Sequence, residues 1–574
     1  MAFTRLLTLA LAAGAAARIA DLHKRQAFTP GQAVNTTSGV LRGIPGPSRP
    51  DVSVYLGIPY AKPPVGERRF AAPERFVGTG EVNATAFVEA LSRLSPDALN
   101  DLLNSLTPPA LQLLASWGQA GNAFSEDCLT LNVWTKPQTG EKAKAVLFWI
   151  YGGGFESGAT NNPTYSGEFF ADNQDVVFVS ANYRTNIFGF PGLPGVKLPQ
   201  NPGLLDQRLA LEWVRDNIAA FGGDPNRITI FGQSAGGASV DYYTFAHASD
   251  PIAAGAIAQS GTAVSFTSTP APSNNTAAWY NASATLGCGG PGTPLTQSVA
   301  CVRGKSTTDL LSAIVVNDPI ASVLGNFGPT TDGVSVFADY ATRGQAGKFA
   351  KIPLLIGNND YEAGLFRLLA LGAGRSFPDA AWCLFNADIY TCPASTSASW
   401  RARNGVPVWR YRYYGEFPNT RLTWKPNSGP WHGAEIPVVF GTEEGSSAGV
   451  PDTPAEVEIG KYLQSLWAGF AKDPKGALSG QQFKLPKYST STRSLILFAQ
   501  NNQTAPNFAN PRNTDAICPT LDFVSRLFPG GLFSGISSGS SDGSDLDALL
   551  AIAQPIIDLV TAGSPPPAGS RCKF

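Results

Sequence analysis

At 574 residues the chain exceeds an average domain, yet α/β folds reach this size as single units. Hydrophobic residues make up 43%, enough for a large core. Charged residues make up 15% and the net charge is −1, so nothing suggests nucleic acid or an anionic membrane surface as a partner.

The first predicted element is a leader. Met1 to Arg5 is a short positive stretch, and Leu6 to Ala17 is an apolar run too short to span a bilayer. The sequence DLHKRQ then offers a basic pair, Lys24-Arg25, expected to be cut so that Gln26 becomes the first residue. Residues 1–25 are therefore expected to be a signal peptide with a short pro-segment. A secreted, extracellular and glycosylated chain is expected, with N-x-S/T sequons at Asn35, Asn83, Asn274, Asn281 and Asn502. No transmembrane segment is expected.

Residues 84–125 carry Leu99, Leu102, Leu103 and Leu106 at helical spacing. Pro108-Pro109 follows, then Leu111, Leu114 and Trp117. Ser95 and Pro96 suit a helix start. This helical excursion reads either as ordinary packing or as a lid with an apolar underside. Strand-like runs follow: AVLFWIY (145–151), VVFVSANY (176–183), RITIFG (227–232), KIPLLIG (351–357) and RSLILFA (493–499). LLDQRLALEWVRDNIAAFG lies among them as a helical pattern. Strand–helix alternation predicts an α/β fold with a mostly parallel central sheet and helices on both faces. Residues 26–530 are expected to form that unit, and 531–574 a Gly/Ser-rich linker with a C-terminal tail containing a helix kinked at Pro555.

Seven cysteines in a secreted chain predict disulfides with at least one thiol left over. Cys288 is expected to pair with Cys301 and, as a second pairing, Cys383 with Cys392. Cys128, Cys518 and Cys572 have no assignment. With no C-x-x-C pair and three histidines, no zinc site is expected, nor any other metal or cofactor.

The pattern G-x-S-x-G occurs around Ser234, Ser447, Ser537 and Ser541. A nucleophile elbow needs a strand immediately before the serine and a helix immediately after it. Only Ser234, in RITIFGQSAGGASV, has both. Its hydroxyl needs a base. His23 lies in the leader. His247 follows on the same predicted helix, roughly 20 Å along it. That leaves His432, in GPWHGAEIP. A carboxylate must orient that histidine, and the strand end in KIPLLIGNNDYEAGLF offers Asp360 and Glu362, between which position does not choose. Gly152-Gly153-Gly154 after a strand supplies backbone donors for an oxyanion, and Ala235 should add its own N–H.

At these residues the sequence resembles the type-B carboxylesterase/lipase family, the group containing cholinesterases and Candida-type lipases. The resemblance covers about residues 30–525. It rests on YLGIPYAKPPVGERRFAAPE (55–74), EDCLTLNVW (126–134), YGGGF (151–155), NYRTNIFGF (182–190) and NPGLLDQRLALEWVRDNIAAFGGDPNRITIFGQSAGG (201–237). It implies an α/β-hydrolase fold and hydrolysis of carboxylic esters. It implies Ser234, Glu362 and His432 as the triad, and Gly153, Gly154 and Ala235 as oxyanion donors. It also implies that the Ser260 hydroxyl lies just behind the triad. Two departures stand out. The family usually has Glu where this chain has Gln233, which weakens the case for a cationic choline ester. The family also closes a lid-like loop with a disulfide ending at the position of Cys128, and no cysteine precedes Cys128 here.

The expected activity is ester hydrolysis through an acyl-enzyme, on a small-molecule or lipid ester. The competing expectations are a non-catalytic binding protein on the same fold and an acyltransferase. Intact Ser234, Glu362 and His432 stand against the first; fold alone would not. Acyl preference and oligomeric state are not legible in the sequence.

Overall fold

The structure is a computed structural model and describes residues 28–88, 106–117, 124–193, 195–265, 276–314, 327–442, 448–527 and 568–572. The expectations for residues 1–27, for Ser95 and Pro96, for Ser447, Ser537 and Ser541, and for a kink at Pro555 lie outside the described residues.

The described strands, in chain order, are β1 (Val34–Thr36), β2 (Gly39–Arg42), β3 (Ile44–Pro45), β4 (Ser53–Pro59), β5 (Glu81–Asn83), β6 (Thr130–Thr135) and β7 (Lys144–Ile150). They continue with β8 (Val177–Ala181), β9 (Gly223–Gln233), β10 (Gly255–Gln259), β11 (Leu354–Asn359), β12 (Val408–Tyr413), β13 (Leu495–Phe498) and β14 (Asn507–Ala509). β1, β2 and β5 form a small sheet. The rest form one sheet in the order β14-β13-β12-β11-β10-β9-β7-β8-β6-β4-β3. From β8 to β13 every neighbour pairs parallel; antiparallel pairs occur only toward the rims. β7, β8 and β11 are buried along their whole length. Strands covered by helices on both faces need that apolar character throughout, rather than alternation.

Helix Pro202–Asn217 begins with proline at its first position and buries Leu204, Leu209, Leu211, Trp213 and Val214. Of the leucine-rich excursion, helix Pro108–Trp117 is described. Its start is tied down, because the Thr107 hydroxyl accepts from the Ala110 amide and the Thr107 amide donates to the Leu422 carbonyl.

The strands that matter for the site end within two residues of one another. β7 ends at Ile150, opposite Gly232 of β9. β9 ends at Gln233, opposite Gln259, the last residue of β10. Gln259 faces Gly357, two residues short of the end of β11. Chain order changes direction here, since β7 lies between β8 and β9. The carboxyl ends of strands at such a switch form a crevice where ligands bind.

The pairing of Cys288 with Cys301 is present. The pairing of Cys383 with Cys392 is not. Cys383 bonds Cys572, and Cys392 bonds Cys518. Cys383 and Cys392 lie on one unbroken helical run, Asp379–Asn386, Ala387–Thr391 and Cys392–Arg403. Nine residues at 1.5 Å each separate them by roughly 13 Å, beyond the reach of a disulfide at about 7 Å. Cys128 is free and fully buried.

Candidate active site

Ser234 follows the last residue of β9 and precedes helix Ala235–Ala246. Its backbone has φ 59° and ψ −123°, a conformation that costs energy for a residue with a side chain. Neighbours hold it there. The Ser234 amide donates to the Gln259 carbonyl (2.8 Å), and its carbonyl accepts from Ala238 (2.9 Å). A methyl group on Gly236 would sit 2.0 Å from the Ile150 carbonyl oxygen, and one on Gly232 2.6 Å from Gly236 and Ile150. Both glycines of the motif are therefore forced by close approach of the main chain.

Facing the serine is the loop after β7. Gly153 has φ 118°, and a Cβ there would lie 2.4 Å from the Ser157 carbonyl oxygen. The amides of Gly153, Gly154 and Ala235 have no hydrogen-bond partner among the described residues. Ala235 is the first residue of its helix, where the N–H groups point outward and attract negative charge.

Glu362 follows the end of β11 and is fully buried. Its Oε1 accepts from the Ser260 hydroxyl (2.7 Å) and from the Asn359 amide (2.5 Å). Its Oε2 lies 2.6 Å from Nδ1 of His432. Asp360, the other candidate acid, turns away. It lies 3.0 Å from Arg412 and accepts from the Arg571 amide (2.8 Å). Burial pushes its pKa up, partly offset by Arg412.

His432 is 4% exposed and packs between the rings of Phe366 (5.4 Å) and Tyr390 (4.9 Å). With Nδ1–H donating to Glu362, its Nε2 presents a lone pair. The side-chain nitrogen of Gln233 lies 3.3 Å from that Nε2. The Ser234 hydroxyl has no hydrogen-bond partner among the described residues. A serine hydroxyl often reaches its base only once substrate is bound. Three residues on, helix Glu435–Phe440 carries Phe440 to within 5.0, 5.5 and 6.0 Å of Trp149, Phe178 and Phe231 in the sheet core. Burial of a Phe ring is worth about 1.5–3 kcal/mol, so the loop bearing His432 is anchored from below.

His247 ends the helix that begins after Ser234. Burial, with Arg208 nearby, depresses its pKa to about 4, and its ring packs tilted against Tyr243 at 4.7 Å. It belongs to the scaffold.

Glu435 was not visible as a site residue in the sequence. Its oxygens accept from Gln259 Nε2 (3.0 Å) and Asn359 Nδ2 (2.6 Å), and the latter amide also donates to the Trp431 carbonyl. Burial, reinforced by the charge of Glu362, pushes its pKa up to about 7. A carboxylate three residues after a candidate base was the only signal, and its partners come from other strands.

The carboxylesterase family model matches residues 30–378 and 374–516. The chain belongs to the carboxylesterase family: an α/β-hydrolase and serine hydrolase of carboxylic esters. It is 34% identical over 498 residues to chlorogenic acid esterase of Aspergillus niger, covering 82% of this chain and 91% of that protein. It is 32% identical over 510 residues to secreted lipase 5 of Gibberella zeae, covering 84% and 93%. It is 33% identical over 548 residues to acetylcholinesterase of Bungarus fasciatus, covering 86% and 87%.

Proposed function

We propose that Ser234, His432 and Glu362 are the catalytic triad of a secreted enzyme acting on uncharged esters. The observation that carries this reading is the Glu362 carboxylate, held by Ser260 and Asn359 and 2.6 Å from Nδ1 of His432. Such a carboxylate fixes the tautomer in which Nε2 is free to take a proton, and stabilises the imidazolium once it has done so.

The Ser234 hydroxyl attacks the ester carbonyl as His432 Nε2 takes its proton. The oxyanion forms against the amides of Gly153, Gly154 and Ala235. Imidazolium then protonates the departing alkoxide, leaving an acyl-Ser234. Water, giving its proton to the same Nε2, repeats the attack and frees the acid. Before attack, the Gln233 amide and the Ser234 hydroxyl compete for one lone pair, so Gln233 must yield Nε2 as substrate seats.

Gln233 supports the preference for uncharged esters, since no carboxylate stands at that position to attract a cationic alcohol. The relative named as a secreted lipase fits such substrates. Three disulfides, exposed sequons at Asn35, Asn83 and Asn281, and the relative named as a secreted lipase support secretion. Among the described residues no helix is long and apolar enough to cross a membrane. Residues 26–530 form the catalytic unit in this reading. The test is Ser234→Ala against a panel of p-nitrophenyl esters and a choline ester, with an organophosphonate probe. Loss of both hydrolysis and labelling is expected; full labelling of the variant sinks the assignment. Sequencing the exported protein should give Gln26 at its N-terminus.

A further inference from the structure

The last described residues, Ala568–Cys572, are fastened to the back of the acid–base pair. Cys572 is buried and bonded to Cys383. The Arg571 amide donates to Asp360 Oδ2 (2.8 Å), two residues before Glu362. Its guanidinium makes a bidentate pair with Glu416 at 2.8 Å to each oxygen, and lies 5.9 Å over the ring of Tyr361. Ser570 contacts the Tyr414 hydroxyl (3.0 Å), and the Ala568 carbonyl accepts from Gln500 (2.5 Å).

The same arginine touches the loop that carries His432. A Cβ on Gly429, whose φ is 60°, would lie 2.6 Å from Arg571 Nε, so glycine there leaves the space the side chain fills. Beside the Glu362–His432 bond itself, the acid turn and the base loop are also joined directly. The Tyr361 amide donates to the Pro430 carbonyl (3.3 Å) and Asn359 Nδ2 to the Trp431 carbonyl (2.7 Å). Arg571 thus covers the seam between the segments that set the Glu362–His432 distance.

We propose that Arg571, held by the Cys383–Cys572 bond, is a positioning residue that keeps the Asn359–Glu362 turn in register with the Ser428–His432 loop. It touches neither substrate nor reacting atoms. This rests on the triad assigned above. A carboxylate shifted by a fraction of an ångström still binds the imidazole, but aims Nε2 poorly at Ser234. Misplacement on the order of 1 Å costs up to about 100-fold in rate.

The experiment compares the full chain with Arg571→Ala, Arg571→Lys and a chain ending at Pro567 that also carries Cys383→Ser. Each is titrated with an organophosphonate so that kcat refers to competent sites. The expected result for Arg571→Ala and the shortened chain is a kcat about 10- to 100-fold lower with KM within about twofold. Labelling should be slower but still stoichiometric, and Arg571→Lys should recover part of the loss. If kcat per titrated site is unchanged in Arg571→Ala, the proposal is overturned, whatever happens to the shortened chain. If activity falls only in proportion to the number of titratable sites, the strap matters for folding alone and the proposal also fails. Failure of the triad assignment itself would show differently, as full labelling of Ser234→Ala.

Discussion

Ser234 is held almost entirely by its own strand–turn–helix unit, residues 223–246, and by the adjoining ends of β7 and β10. Glu362 and His432 are 70 positions apart, and their alignment draws on β10, β11, the loop at 428–432, helix Glu435–Phe440 and the strap at 568–572. The proposed nucleophile is thus fixed by steric closeness of main chain, where no side chain fits. The proposed acid–base pair is fixed by hydrogen bonds and charge between distant segments. Steric constraints fail abruptly and locally. Polar constraints fail by degrees and can be loosened from afar.

The sharpest break in this comparison is chemical. Ser234→Ala should lower kcat by about 10⁴- to 10⁶-fold, and Glu362→Gln by about 10³- to 10⁴-fold, both measured on a p-nitrophenyl ester. Equal losses would mean that Glu362 acts with the serine as one unit, against the graded failure expected on that side. Next comes Gly236→Ala, whose new methyl would meet the Ile150 carbonyl at 2.0 Å. It should destabilise the protein by about 3 kcal/mol and abolish probe labelling together, as seen by thermal unfolding and mass spectrometry. A stable, labelled variant would show that the elbow can relax.

The acid–base side is sharpened by Glu435. Its carboxyl keeps a proton in the folded protein up to about pH 7, whereas the unfolded carboxyl releases it near 4.5. Through that window the native state binds the extra proton, so its contribution favours folding at low pH and is lost as pH rises. Glu435→Gln does not titrate. Its change in stability between about pH 4.5 and about pH 8 should differ from the parent's by on the order of 2 kcal/mol, toward a flatter profile, measured by denaturant unfolding. Identical slopes would count against a proton retained on Glu435.

The smallest expected effect links the two halves. Gln233 is the last residue of the elbow strand and the one whose side chain reaches His432. Gln233→Glu places a negative charge beside the imidazole and favours its charged form. The acid limb of kcat/KM should then move up by about half a unit to one unit, with a relative gain on a choline ester. An unmoved limb would mean that the 3.3 Å contact carries no coupling.

The same contrast explains what was legible in the sequence. β7, β8 and β9 announced themselves as apolar runs. The G-x-S-x-G around Ser234 stood out because strand, turn and helix are consecutive. β12 did not read as a strand, because VWRYRY carries Arg410 and Arg412. Both are buried, paired with Asp515 and Asp360 from elsewhere in the chain. β10, with the sequence GAIAQ, is too short and too rich in small residues to show a pattern. His432 was found by elimination, a consequence of having three histidines. Asp360 and Glu362 sit at one strand end and were separated by resemblance alone; in the structure the first faces arginines and the second the imidazole. Cys572 and Arg571 looked like a polar terminus, since nothing local marks a segment whose partners are about 155 to 211 residues away.

Both rims of the large sheet end in stubs: β3 has two residues, one of them Pro45, and β14 has three, with Pro511 two residues past its end. Neither stub offers a neighbouring molecule a strand-length row of free amides, which blunts both described rims of this sheet against templated stacking. Colloidal behaviour then falls to charge. Removal of residues 1–25, with four basic side chains and one acidic, takes the net charge at pH 7 from −1 to −4. Concentrated solutions of the exported protein should therefore cloud only well below pH 7, as that charge is neutralised, by loose, reversible association that salt or a unit of pH disperses.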